Sequence, residues 1–164
     1  VHPEYESYSL SNDIAILELE KDLDFDTEPN VGAICLASSG DFVGQMSLVS
    51  GWGPSEETGK RVVVYLDELP ILSNENCASM TEWRITNNSL CAGYKNGGKD
   101  FCSGDSGGPL AVKDSNDRYV LAGVVSGGPC AQPAGPGIYM RVSRFLQKSA
   151  FIYARMRKFS RNSS

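Results

Sequence analysis

The chain has 164 residues, enough for one domain with a well-buried core, and 17 glycines and 8 prolines separate its short apolar runs. This pattern favours β-structure with many turns, and the absence of any apolar run of about 18 residues argues against a membrane-spanning helix. The formal net charge is −5, although residues 141–164 hold seven Lys/Arg and no acid. We interpret this basic end as a solvated helix face rather than a membrane- or polyanion-binding tail, and expect neither nucleic acid nor a membrane as a partner.

Seven strands are predicted from alternating or continuous apolar runs. In chain order they are Ile14–Leu19, Val31–Leu36, Ser47–Trp52, Arg61–Leu69, Gly108–Val112, Tyr119–Val125 and Gly137–Val142. Two helices are predicted, a short one capped by Ser73 that runs to about Met80 and a longer C-terminal one capped by Ser143. Short strands at this spacing indicate an all-β sandwich or barrel.

The chain contains five cysteines, which is an odd number. None forms a Cys-x-x-Cys pair and the chain has a single histidine, so we expect no metal site, and nothing predicts another cofactor. Disulfide bonds are the better interpretation. They predict a secreted protein in an oxidising, extracellular environment.

Five short blocks follow one another over nearly the whole chain. They are Asn12–Leu17, Ser50–Gly53, Leu90–Gly93, Gly104–Leu110 and Gly137–Tyr139. Each block alone is weak evidence, since an Asp before an apolar strand is usually a cap or turn residue. In this order they resemble the signature of the trypsin/chymotrypsin-like serine proteases, the S1-type peptidase domain. The resemblance implies a double antiparallel β-barrel with a C-terminal α-helix and the activity of a serine endopeptidase.

The resemblance also assigns catalytic roles. Ser106 takes the place of the nucleophile, and Asp13 takes the place of the buried aspartate that orients a histidine. The N–H groups of Gly104 and Ser106 take the place of the oxyanion hole. Asp105 takes the place of the residue that pairs with the N-terminal ammonium released when a zymogen is cleaved. His2, the only histidine, matches a surface stretch and is expected to be exposed and non-catalytic.

No Ala-Ala-His-Cys-like block precedes Asp13, so the chain resembles a family member that begins partway through its first barrel. We expect the remainder of that barrel and a linker over about 1–45, the second barrel over about 46–142, the helix over about 143–158 and a tail over 159–164. Alone, the chain is expected to have a disordered oxyanion site and negligible peptidase activity. The alternative is a non-catalytic homologue that acts as a binding or cofactor protein, against which the retained Ser106 and Asp13 argue.

Substrate preference is predicted from the residues around the nucleophile. Asp100 matches the carboxylate at the base of the specificity pocket, which favours Arg or Lys before the scissile bond. Gly137 matches a pocket wall, and Ser126 and Gly128 match the segment that lines the substrate backbone. An altered or occluded pocket is the alternative, because Phe101 stands where a small residue is usual and the segment from Ser126 is one residue short and lacks a Trp. Protein substrates and protein protease inhibitors are the expected partners.

The resemblance pairs four of the cysteines. It implies the disulfides Cys77–Cys91 and Cys102–Cys130. Cys35 is then left over, and we expect it to bond an upstream or light-chain segment, with a buried free thiol as the alternative.

Overall fold

Seven short strands form most of the regular structure in the computed structural model, which describes residues 1–53, 65–98, 100–130 and 135–146. The strands are β1 Cys35–Leu36, β2 Met46–Gly51, β3 Tyr65–Leu72, β4 Ser89–Ala92, β5 Pro109–Lys113, β6 Tyr119–Gly127 and β7 Gly137–Arg141. A short helix, α1, spans Asn74–Ala78, and a 3₁₀ turn spans Val142–Arg144. This confirms an all-β fold. In the part of the chain that the structure describes, no helix is long and apolar enough to cross a membrane.

Six of the strands close into an antiparallel barrel. Their order is β6-β5-β2-β3-β4-β7, and β7 pairs again with β6. The closing register sets Val125 opposite Tyr139, while Leu48 faces Ala111 across β2 and β5. Closure removes the free strand edges that an open sheet would expose. The remaining strand, β1, adds to β6 in parallel through Cys35 and Val120.

Side chains alternate between the inside and the outside of the barrel along each strand, and the inward-facing ones are mostly apolar. In β2 the burial alternates from residue to residue, and Val49 is fully buried. Leu69, Leu90, Leu110 and Tyr139 from four other strands are also fully buried. Burial of each such side chain contributes about 1.5–3 kcal/mol, which makes this cluster the main source of the barrel's stability.

The helix α1 begins where the sequence predicts. The hydroxyl of Ser73 accepts a hydrogen bond from the Asn76 N–H at 3.1 Å, which satisfies one of the free amides at the helix start. The helix ends at Ala78, two residues before Met80. Cys77 joins this helix to Cys91 in β4 through a disulfide bond.

The strand predicted at Ile14–Leu19 is wrong. This segment forms no strand, and Leu17 and Leu19 are 88% and 60% exposed. The apolar run predicted burial, but none of the described strands pairs with it; the N–H of His2 binds it at the carbonyl of Ile14, and both leucines are left uncovered. The strand predicted at Val31–Leu36 is reduced to the two exposed residues of β1. In residues 1–45 the only other strand-like feature is one bridge between Glu6 and Ser11, so no first barrel closes there.

Other sequence predictions meet the structure only in part. The strands predicted from Ser47, Gly108, Tyr119 and Gly137 are confirmed with shifts of one or two residues. Residues 61–64 of the fourth predicted strand and 147–158 of the C-terminal helix lie outside the described residues. The described start of that helix is a 3₁₀ turn. The division of the chain at about residues 45, 142 and 158 stays a prediction, although β2 begins at Met46 and β7 ends at Arg141.

Arg141 ties β7 to two neighbouring elements. Its Nε donates to the carbonyl of Ser89 at 3.1 Å, and its Nη2 donates to Oδ1 of Asn74 at 3.0 Å. The residue is 8% exposed, and burial lowers the pKa of its guanidinium, which nevertheless stays charged.

Replacing Arg141 by Met therefore removes two charge-assisted hydrogen bonds and leaves their acceptors unsatisfied. We expect the free energy of unfolding to fall by about 2–3 kcal/mol, measured by urea denaturation of the full-length protein. Arg144→Met, at an exposed position three residues later, is the matched control and should change stability by less than about 0.5 kcal/mol. Equal losses in the two variants would contradict this role.

Candidate active site

Ser106 lies at the tip of a tight loop directly before β5. Gly104 and Gly107, on either side of it, have φ angles of +104° and +82°, a backbone region that favours glycine. These two turns leave the side chain of Ser106 exposed. The glycines around Ser106 therefore allow the backbone turns that expose this serine.

Hydrogen bonds fix the loop to the barrel. The N–H of Gly107 donates to the carbonyl of Val125 at 2.9 Å, and the Val125 N–H donates to Gly108 at 2.9 Å. By contrast, none of the described residues accepts a hydrogen bond from the N–H of Gly104 or Ser106. These two donors are thus available to a ligand oxygen near Ser106, as an oxyanion hole requires.

The buried carboxylate of Asp105 fixes the loop that carries Ser106. It is 3% exposed, and its Oδ1 accepts from the N–H of Gly53 at 2.7 Å while its Oδ2 accepts from the N–H of Cys102 at 2.9 Å. Hydrogen bonds to an ionised carboxylate are about twice as strong as neutral ones. Both oxygens are therefore held, and the carboxylate links the Ser106 loop to the end of β2.

The backbone that passes beside Asp105 must carry glycine at the two positions closest to its carboxylate. A Cβ on Gly51 would overlap the Asp105 carboxylate, and one on Gly53 would lie 2.7 Å from its Oδ1. Gly51 and Asp105 also border a cavity of about 350 Å³ beside Ser106, lined by 50–52 and 104–109. The two glycines of the Gly-Trp-Gly block are thus explained by the space that the Asp105 carboxylate needs.

Asp13 reaches the barrel through a hydrogen bond that the sequence gives no sign of. Its Oδ2 accepts from the Ser126 hydroxyl at 2.8 Å, across 113 positions of sequence. The neighbouring Asn12 accepts from the amide of Asn88 at 2.9 Å and so fixes the same segment to the loop before β4. The sequence predicts Ser126 only as part of the segment that lines the substrate backbone. No local pattern could have shown that its hydroxyl also holds Asp13.

His2 is buried, and its predicted exposure is wrong. It is 8% exposed, its Nδ1 accepts from the N–H of Glu4 at 3.1 Å, and its ring packs edge-on against Phe145 at 5.5 Å. The backbone N–H of His2 also donates to the carbonyl of Ile14 at 2.9 Å. The imidazole combines an apolar ring body with polar nitrogens, so the ring can pack beside Phe145 while Nδ1 keeps a hydrogen bond.

The residues predicted for the specificity pocket lie together. Asp100 is 5% exposed, and its Oδ1 accepts from the N–H of Phe101 at 2.8 Å. A Cβ on Gly137 would overlap that same oxygen, so Gly137 lies directly against the carboxylate. A Cβ on Gly128 would lie 3.2 Å from the Cα of Gly137. The ring of Phe101 stands among all three.

Both predicted disulfides are confirmed. Cys77–Cys91 has a Cα–Cα separation of 6.2 Å, and Cys102–Cys130 has one of 4.8 Å. The second bond joins the loop before Ser106 to the segment that follows β6. Cys35 is free and exposed, so the alternative of a buried thiol is wrong. In the described ranges, no three His, Cys, Asp or Glu side chains are grouped so that they could hold a metal ion.

The fold and this site agree with comparisons with known proteins. A family model described as Trypsin matches residues 1–148. Serine protease filzig of Drosophila melanogaster is 42% identical over 151 residues, which are 87% of this chain and 9% of that protein. Trypsin eta of the same organism is 40% identical over 147 residues, or 88% of this chain and 54% of that protein. The trypsin of Squalus acanthias is 38% identical over 149 residues, covering 88% of this chain and 61% of that protein.

The chain therefore belongs to the trypsin family. It spans at most 61% of the length of these three relatives. The site residues carried over from the family are consequently proposals for the whole protein.

The contact between Gly51 and Asp105 can be tested by adding one methyl group. We expect Gly51→Ala to lower the free energy of unfolding by about 1–3 kcal/mol, because the buried carboxylate must shift to admit it. Gly32→Ala is the matched control, since a Cβ there would meet nothing within 4 Å. If calorimetry or urea unfolding shows the two variants to be equally stable, Asp105 does not hold the position described.

Proposed function

We propose that the complete protein is a serine endopeptidase in which Ser106 is the nucleophile. The observation that carries this proposal is the exposed Ser106 beside a cavity of about 350 Å³, next to two N–H groups that no described residue engages. In the proposed reaction, Ser106 Oγ attacks the carbonyl carbon of the scissile peptide, and the N–H groups of Gly104 and Ser106 stabilise the oxyanion. The hydroxyl proton passes to a histidine and then to the leaving amine.

Asp13 is proposed to orient that histidine. Its carboxylate is half-buried and held by Ser126, which suits a group that must keep an imidazole in one tautomer. The single histidine of these 164 residues, His2, is packed against Phe145 and is not proposed as the base. We propose that a histidine of the complete form is the base and that these residues alone are inactive.

The proposed substrates are proteins and peptides with Arg or Lys before the scissile bond. Support comes from the Asp100 carboxylate, which lies against the predicted wall residue Gly137. Because a buried carboxylate binds a guanidinium or ammonium through charge-assisted hydrogen bonds, it favours basic side chains. Protein protease inhibitors that present such a side chain are the other proposed partners.

The setting proposed for this enzyme is extracellular. Two intrachain disulfides support secretion, and the exposed thiol of Cys35 is free to bond an upstream or light-chain segment. A zymogen is proposed in which Asp105 receives the ammonium released by cleavage. The disordered oxyanion site expected for these residues alone stays a prediction, and the two N–H partners of Asp105 argue against it.

The second candidate function is a non-catalytic homologue that binds partners without cleaving them. The observation in its favour is the burial of His2, the only histidine, beside Phe145. Such a protein would not need a reactive Ser106. The reactivity of this serine therefore separates the two candidates.

We expect a small dialkyl fluorophosphate to label the full-length, activated protein at Ser106, because this reagent reports the activated hydroxyl and needs no basic side chain. Ser106→Ala should abolish labelling, as read by intact-mass spectrometry. Ser115→Ala, at an exposed serine in the β5–β6 loop, should leave it unchanged. Lack of labelling in the wild-type protein would favour the non-catalytic candidate.

The 164 residues alone give a separate expectation. Their turnover of an Arg-containing peptide substrate should not exceed that of their own Ser106→Ala variant, because a serine hydroxyl without a neighbouring base is a weak nucleophile. Turnover that disappears in Ser106→Ala would show that a base is present within these residues.

A further inference from the structure

The ring of Phe101 fills the space between the residues proposed to bind the substrate side chain. A Cβ on Gly137 would lie 2.7 Å from its Cε1, and one on Gly128 would lie 3.3 Å from its Cζ. The ring therefore extends from the loop before Ser106 to the end of β6 and the start of β7. A side chain at Gly137, the first residue of β7, would clash with the ring, and one at Gly128, just after β6, would be crowded by it.

The ring is fixed in this position. Phe101 is 4% exposed, and it packs edge-on against Tyr139 with ring centroids 5.2 Å apart, an arrangement favoured between aromatic side chains. Its N–H donates to Oδ1 of Asp100, so the side chains of both residues start from one constrained piece of backbone. Asp100 is 5% exposed, so little of it is open to solvent.

This packing opposes the recognition of a basic side chain. The carboxylate of Asp100 lies against Gly137, and the Phe101 ring lies against the same glycine. An incoming guanidinium or ammonium needs a path to the carboxylate and partners for its own hydrogen bonds. With the ring in place, the space beside Gly128 and Gly137 is already occupied by carbon atoms.

We propose that Phe101 determines the specificity of this site by closing the space beside Asp100, so that a basic side chain reaches the carboxylate only after the ring has moved. The inference rests on the proposed function, because it concerns the same substrate pocket. It adds that the preference for Arg and Lys is weak in the wild-type protein and becomes strong when residue 101 is small. A merely structural role for the ring would affect stability but not the binding of cations.

Benzamidine, a flat aromatic cation, probes this pocket without requiring catalysis, and benzamide is its neutral counterpart. Titration calorimetry on the full-length protein should show that benzamidine binds the wild type less than tenfold more tightly than benzamide. Phe101→Ser should tighten benzamidine binding by at least about tenfold, the smallest effect expected when a pocket gains even a methylene's worth of space. Phe101→Leu is the matched control, since it keeps an apolar side chain of similar bulk and should bind benzamidine as weakly as the wild type.

Asp100 supplies the second control. In the Phe101→Ser background, Asp100→Asn should remove the gain in benzamidine affinity, because the gain comes from the carboxylate. A wild-type protein that binds benzamidine at least tenfold more tightly than benzamide, and loses this on Asp100→Asn, would overturn the proposal. The wild-type comparison decides the question even if Phe101→Ser does not fold, as judged by the absence of a cooperative thermal transition.

Labelling of Ser106 by the dialkyl fluorophosphate keeps the two proposals apart. Labelling together with strong wild-type benzamidine binding overturns the role of Phe101 and leaves the endopeptidase proposal standing. Weak benzamidine binding without labelling overturns the endopeptidase proposal and supports a closed pocket.

Discussion

The geometry of the site depends on the buried carboxylate of Asp105. One oxygen is bound by the Gly53 N–H at the end of β2 and the other by the Cys102 N–H in the loop before Ser106. Because an ionised group in the interior is costly unless its hydrogen bonds are satisfied, the two segments are held at a fixed separation. The φ angles of Gly104 and Gly107 then turn Ser106 outward. The exposed Ser106, although it lies on a loop, is thereby fixed to the barrel.

The barrel supplies the rest of the site from the ends of its strands. β6 ends at Ser126 and Gly127, so the strand that closes the barrel also brings Ser126 to Asp13 and leads into Gly128. β7 begins at Gly137, against the carboxylate of Asp100. The disulfide Cys102–Cys130 joins the loop before Ser106 to the same region. Strand closure, one disulfide and one carboxylate therefore position every proposed site residue of the second half of the chain.

Local sequence patterns predicted the features that local interactions decide. The cap at Ser73 and the strand that becomes β5 depend on residues close in sequence, and both are confirmed. The strand predicted from the apolar run at Ile14–Leu19 was wrong because hydrophobicity indicates a need for burial but does not provide a partner strand. His2 was misjudged because its burial depends on Phe145, and the bond between Asp13 and Ser126 spans 113 positions. The family resemblance supplied the roles of Ser106, Asp100 and Asp105, which composition and periodicity do not contain.

The most direct test of this account is residue-resolved amide hydrogen exchange in the full-length protein. If Asp105 holds the loop, the amides of Gly53 and Cys102 exchange about as slowly as that of Val49 in β2, and Asp105→Asn speeds their exchange without affecting Val49. If both amides of the wild-type protein exchange as fast as those of the exposed residues Leu17 and Leu19, the carboxylate does not organise the site and the account is contradicted.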